Sequence, residues 1–138
     1  MAEQPKTPLS YALFIIGIIF IFANAPLMEL WPSAWRWEPG HPEYEQMILG
    51  IYATLGAFLV WAARDPARHR SLILFTAWSS LVHAGIMLVH AYRDTAHSGH
   101  LTGDIPALAF VGVLLLVMVV PEQSTTRRSK SRRRGSSR

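Results

Sequence analysis

The stretch SLILFTAWSSLVHAGIMLVHAY, Ser71–Tyr92, decides the fold. It contains no Asp, Glu, Lys or Arg. A helix needs about 20 residues to cross about 30 Å of hydrocarbon, and this run is long enough. Three further apolar runs flank it. Gln46–Ala63 and Leu9–Ala25 precede it, the latter able to extend past Pro26 toward Trp31, and Ile105–Val120 follows. Four such runs leave too few polar faces to solvate a bundle of this size in water. The expectation is an all-α protein, a four-helix transmembrane bundle over residues 9–121. Residues 1–8 form a cytoplasmic N-terminus, and residues 122–138 a disordered basic tail.

Composition agrees. Of 138 residues, 51% are hydrophobic and 16% charged, where soluble domains average about 25% charged. Cysteine is absent, which excludes disulfides, thiolate metal sites and Cys nucleophiles. The formal charge of +4 belongs to the tail, where seven basic residues face only Glu122. Residues 1–120 hold six basic residues against eight acidic ones.

Breakers fall between the runs. Pro32, Pro39, Gly40 and Pro42 interrupt the first loop, Asp65-Pro66 the second, and Gly99 and Gly103 the third. Asp104 suits an N-cap with Pro106 in the following turn, and Pro121 should end the last helix. Glu43 and Glu45 suit the positive end of the second helix. The first run also has features of a signal peptide, with Ala23-Asn24-Ala25 resembling a cleavage site. A single Lys opposed by a Glu ahead of it, and Pro26 after the cut, argue against cleavage.

Loop charge sets orientation, because positive loops stay cytoplasmic. Arg64, Arg68 and Arg70 stand against Asp65 in the second loop. Glu29, Glu38, Glu43 and Glu45 stand against Arg36 in the first. Both termini are therefore expected inside, in an inner-membrane, multi-pass arrangement. Trp31, Trp35, Trp37 and Tyr44 then cluster outside, at headgroup level. In the tail, Arg127, Arg128, Lys130, Arg132, Arg133 and Arg134 form a polybasic anchor for anionic lipid headgroups. With no aromatic interleaved and no binding fold, nucleic acid is not the expected partner.

Thr76, Ser79, His83, Met87, His90, Asp94 and His97 fall within an arc of roughly 80° on the third helix, a polar stripe that must face the bundle interior. Ala77, Ser80, Ala84 and Ala91 run beside it, and Gly50, Ala53 and Ala57 on the second helix offer similar spacing. Small residues permit close approach, so these two helices are expected to pack together. His83 lies about 18 Å along its helix, near the bilayer midplane. Equal depth on the other helices reaches Tyr52 and Asn24. Asn24, Tyr52, Ser79 and His83 are thus the candidate intramembrane polar site, either packing glue or a proton, quinone or ligand site. His97, His100 and Asp104 have spacing compatible with zinc or copper if the segment is helical. Haem wants ligands from facing helices, and every intramembrane His lies on one helix, so a second ligand would be a Met or come from a second subunit. A Ser–His nucleophile lacks its further groups, and no phosphate loop is present.

The blocks WPSAWRW (31–37), YEQMILGIYATLGAFL (44–59), ARDPARHRSLILFTAWSSLVHAGIM (63–87) and GHLTGDIPAL (99–108) resemble, in order and spacing, a largely bacterial family of small multi-pass membrane proteins known only as a domain of unknown function. The resemblance covers about Tyr11–Pro121. It implies a four-helix membrane domain and supplies no substrate, cofactor or reaction. The architecture is remotely similar to DoxX-like proteins, by analogy alone. The expected role is non-catalytic: partner binding, membrane organisation or stress response. The alternatives are a redox-associated subunit binding a quinone or metal through third-helix histidines, and an oligomeric small-molecule or proton-coupled transporter. The sequence names no cofactor and leaves a homo-oligomer open.

Overall fold

A computed structural model of the protein describes residues 7–36 and 42–135, the side chains of 42, 95, 96 and 120–135 apart. Among the described residues every regular element is a helix: α1 (Pro8–Phe22), α2 (Asn24–Leu30), α3 (Pro32–Trp35), α4 (Pro42–Ala62), α5 (Arg70–Arg93) and α6 (Asp104–Gly135). Short 3₁₀ turns, Pro66–His69 and Thr95–Thr102, lead into α5 and α6. Three segments are long and apolar enough to cross a membrane, Glu43–Ala62, Pro66–Arg93 and His97–Val119. The pair α1 and α2 meets the same test jointly, bent by 53°.

The local causes are legible. Thr7 caps α1, its hydroxyl accepting from the Ser10 backbone N–H, with Pro8 in the first turn. The break at Ala23 precedes Pro26, which has no N–H to continue the helical ladder. The side-chain amide of Asn24 donates instead to the Phe20 carbonyl at 3.1 Å, satisfying one carbonyl at the bend. Glu43 and Glu45 sit in the first turn of α4.

The helices associate as two pairs, α1 with α4 and α5 with α6, while α4 and α5 barely touch. This corrects the expectation that the second and third spans would pack tightly together. The reason is where the glycines fall. At the α1–α4 crossing Gly17 and Gly56 face each other. A Cβ on Gly17 would lie 2.7 Å from the Gly56 carbonyl oxygen, and one on Gly56 would lie 2.6 Å from that of Gly17. At the α5–α6 crossing, a Cβ on Gly112 would meet Leu81 at 2.6 Å and the Ala77 carbonyl at 2.8 Å. Ala77 and Ala84 do serve close contact, but with α6. Gly50 has nothing within 4 Å and Ala57 is exposed.

Leu13, Leu59, Ile73 and Leu115 are fully buried where both pairs converge near the Arg64–Arg70 end. A smaller cluster, including Ala84, Met87, Ala91 and Leu108, joins α5 to α6 toward the other end. Tyr52 packs against both. The perimeter is apolar as well: Phe14, Ile51, Phe58, Trp78, Ile86 and Phe110 are all exposed. Thr76, by contrast, is fully buried, its hydroxyl donating to the Leu72 carbonyl at 2.9 Å.

One further correction concerns Pro121, expected to end the last helix: the backbone of α6 runs through it to Gly135. Arg and Lys are good helix formers, and no glycine intervenes before Gly135.

The glycine contacts predict a contrast. Gly17→Val and Gly56→Val should each lower stability by about 1–3 kcal/mol through overpacking. Gly50→Ala and Gly85→Ala, both with open space around them, should be neutral or slightly stabilising. Thermal unfolding in detergent distinguishes the two groups.

A candidate ligand cavity between the helix pairs

Because the two pairs meet without a tight α4–α5 seam, they leave a partly open cavity of about 110 Å³ between them. Its wall is mostly apolar and includes Ile19, Phe20, Met28, Met87 and Leu108. Six of the residues lining it have polar side-chain groups: Asn24, Trp35, Glu45, Tyr52, His83 and Asp104.

Asn24, Tyr52 and His83, selected from the sequence by depth, thus line one cavity. Tyr52 on α4 and His83 on α5 share a hydrogen bond, Oη to Nδ1, at 3.1 Å. It is a polar bridge across an otherwise sparse seam. Phe20 holds the Tyr52 ring edge-on, centroids 5.0 Å apart. Ser79 does not belong to the site. It sits one turn from His83 and donates to the Thr76 carbonyl at 3.2 Å.

A cap closes the α2–α3 end. Gly99 and Gly103 press against the backbone of Ser33 and Ala34, so closely that no Cβ fits at either glycine. Ala34 is fully buried beneath this contact. Arg36, following α3, donates to Glu29 at 2.7 Å and places Nε 3.1 Å from Glu45 Oε1 on α4. The Glu29 pair is exposed and contributes about 0–1 kcal/mol, whereas the Arg36 Nε and Glu45 Oε1 atoms are buried.

The proposed metal trio is not assembled. His100 Nδ1 donates to Asp104 Oδ2 at 3.0 Å, whereas His97 Nδ1 lies 3.2 Å from Asp94 Oδ2. The two rings are 6.1 Å apart. Among the described residues no three His, Cys, Asp or Glu side chains could hold a metal ion. Each imidazole is taken by a different carboxylate, and the metal assignment to His97, His100 and Asp104 is corrected accordingly. The tail side chains assigned to lipid, from Arg127 to Arg134, lie outside the described side chains.

Sequence reasoning gave Trp35, Glu45 and Asp104 other roles: Trp35 read as an interfacial aromatic, Glu45 as a helix-end acid and Asp104 as a cap or ligand. Their convergence depends on the bend at Ala23 and on the cap, neither of which has a periodic signal. The Trp35 indole Nε1 is buried and has no hydrogen-bond partner among the described residues. An orphaned donor of this kind in a cavity wall costs about 1–3 kcal/mol unless something accepts from it.

No curated protein and no solved structure matches the chain. A family model does, over residues 3–137, which embraces every block quoted above. The chain therefore belongs to a family of unknown function, DUF6632.

Proposed function

We propose that this is a four-span integral membrane protein that binds a small, mostly apolar molecule with a hydrogen-bond-accepting head, of the quinone type, between its helix pairs. The observation that carries the reading is the buried Trp35 N–H without an acceptor, in a wall shared with the Tyr52–His83 pair and Asn24. Size supports a single ring. An apolar cavity of about 150 Å³ takes up benzene, whereas drug-sized sites run to about 300–1,000 Å³. A ligand tail would stay in lipid. The membrane reading is supported by the exposed apolar perimeter, which is far larger than soluble monomers tolerate. The role is binding, with both termini cytoplasmic and the cap outside.

A short-chain benzoquinone titrated calorimetrically into detergent-purified protein should bind saturably. Trp35→Phe should weaken it about fivefold, the factor for one hydrogen bond of about 1 kcal/mol. No saturation in the wild type, together with no quinone in an organic extract of the preparation, would remove the reading.

His83 separates two contributions. His83→Gln keeps a partner for Tyr52 and should fold normally. His83→Leu strands the phenol and should cost about 1–3 kcal/mol, less where the membrane-unfolded chain finds other partners. Equal melting temperatures for Gln and Leu variants would show that the Tyr52–His83 bond carries no stability.

Topology can be tested directly, since the chain has no native cysteine. Single cysteines at Ser98 and Ser124 should react with an impermeant maleimide from opposite sides. Labelling from the same side would refute the orientation.

A further inference from the structure

Four titratable side chains near the cap follow one another from the surface to the cavity wall. Asp94, at the end of α5, is 57% exposed. Its Oδ2 is 3.2 Å from His97 Nδ1. The His97 ring is 6.1 Å from that of His100 at an interplanar angle of 30°. His100 is 2% exposed and bonds Asp104 at 3.0 Å. Asp104 is itself part of the cavity wall, together with His83 and Tyr52. The line therefore runs from solvent, through a fully buried imidazole, to the cavity.

We propose that Asp94, His97, His100 and Asp104 form a proton route between the outer surface and the cavity. An imidazole accepts a proton on one ring nitrogen and releases one from the other. A carboxyl group does the same between its two oxygens. One proton entering at Asp94 is thus matched by one leaving Asp104 toward His83; each carrier returns to its starting charge with its tautomer or protonated oxygen exchanged, and a reorientation resets it for the next proton. Between His97 and His100, whose ring centroids lie 6.1 Å apart, the proposed route is completed by one bridging water. A helical 3₁₀ turn holds both imidazoles on the same short segment, Thr95–Thr102. Among the described residues, other charged groups at this end include Glu45, on the cavity wall, Arg36, which engages Glu45 and Glu29, Glu43 in the first turn of α4 and Arg93 in the last turn of α5. Arg36 stays protonated at all relevant pH and cannot relay. Burying an imidazole–carboxylate pair is otherwise weak as a stabilising device, since desolvation offsets much of the attraction. A bound head of the quinone type, on the reading above, would exchange protons through this route. The route itself does not need a ligand to be tested.

The experiment uses the full, ligand-free chain, labelled with ¹⁵N-histidine and reconstituted in phosphatidylcholine bilayers. Exchange of the His83 ring proton with bulk water is followed by solid-state NMR, with His83→Gln assigning the signal. His100→Gln and Asp104→Asn keep hydrogen-bonding groups of similar shape but cannot relay. Each should slow exchange at His83 on the order of 10²-fold, the scale contributed by a positioned proton carrier. His90→Gln, exposed and off the line, should leave it unchanged. The partly exposed Asp94→Asn and His97→Gln variants supply the same comparison where a buried substitution disturbs folding, and each should also slow exchange. Wild-type exchange rates in all four route variants would overturn the proposal, as would equal slowing by His90→Gln. Neither result depends on quinone titration, so failure of the route and failure of the binding reading are separable.

Discussion

The arrangement rests on close backbone approach at two helix crossings. Gly17 against Gly56 joins α1 to α4, and Gly112 against Ala77 and Leu81 joins α5 to α6. Without a Cβ at these points the helix axes come close enough for extended van der Waals contact. That contact is the main source of helix association where surrounding lipid is as apolar as the helices themselves. Two tight pairs then meet along a looser seam. Leu13, Leu59, Ile73 and Leu115 close that seam at one end. Toward the other end it opens into the cavity, bridged by Tyr52 and His83.

The cap follows from the same economy of side chains. Gly99 and Gly103 let the turn before α6 lie directly on α3, burying Ala34 and drawing Trp35 over the cavity. The bend at Ala23 redirects the chain so that α3 can reach this position. Asn24 both satisfies the Phe20 carbonyl at the bend and contributes to the cavity wall. A polar residue in an apolar span therefore has a structural duty before any ligand is considered. The polar groups that lack such a complete account, the Trp35 N–H above all, are the ones that carry the functional reading.

The two sets of histidines differ in kind. His83 sits between helix pairs, where its ring bonds a phenol from another span. His97 and His100 pair locally, each with a carboxylate three or four residues away. Local pairing defeats metal binding because the carboxylates separate the imidazoles instead of converging with them on one point. It also lines the titratable groups up in sequence, from an exposed acid to a buried one.

The sequence by itself determined the helical class, the apolar runs and the family, because long runs without ionised residues have few structural solutions, although the polar stripe expected to face inward does so only in part: Thr76 is buried and His90 is exposed. Depth along straight helices was enough to bring Asn24, Tyr52 and His83 together on paper. It could not exclude Ser79, whose hydroxyl had a local backbone acceptor. Which helices pair was not legible. Small residues occur on several faces, and only tertiary structure decides that Gly56, and not Gly50, meets a neighbour. The helical course of the tail was hidden for a different reason: its composition gives no apolar face, while its propensity for helix is local and survives Pro121. The cavity itself was decided wholly by tertiary structure, since the space left between two helix pairs depends on a bend angle and a loop contact that no periodicity in the sequence records.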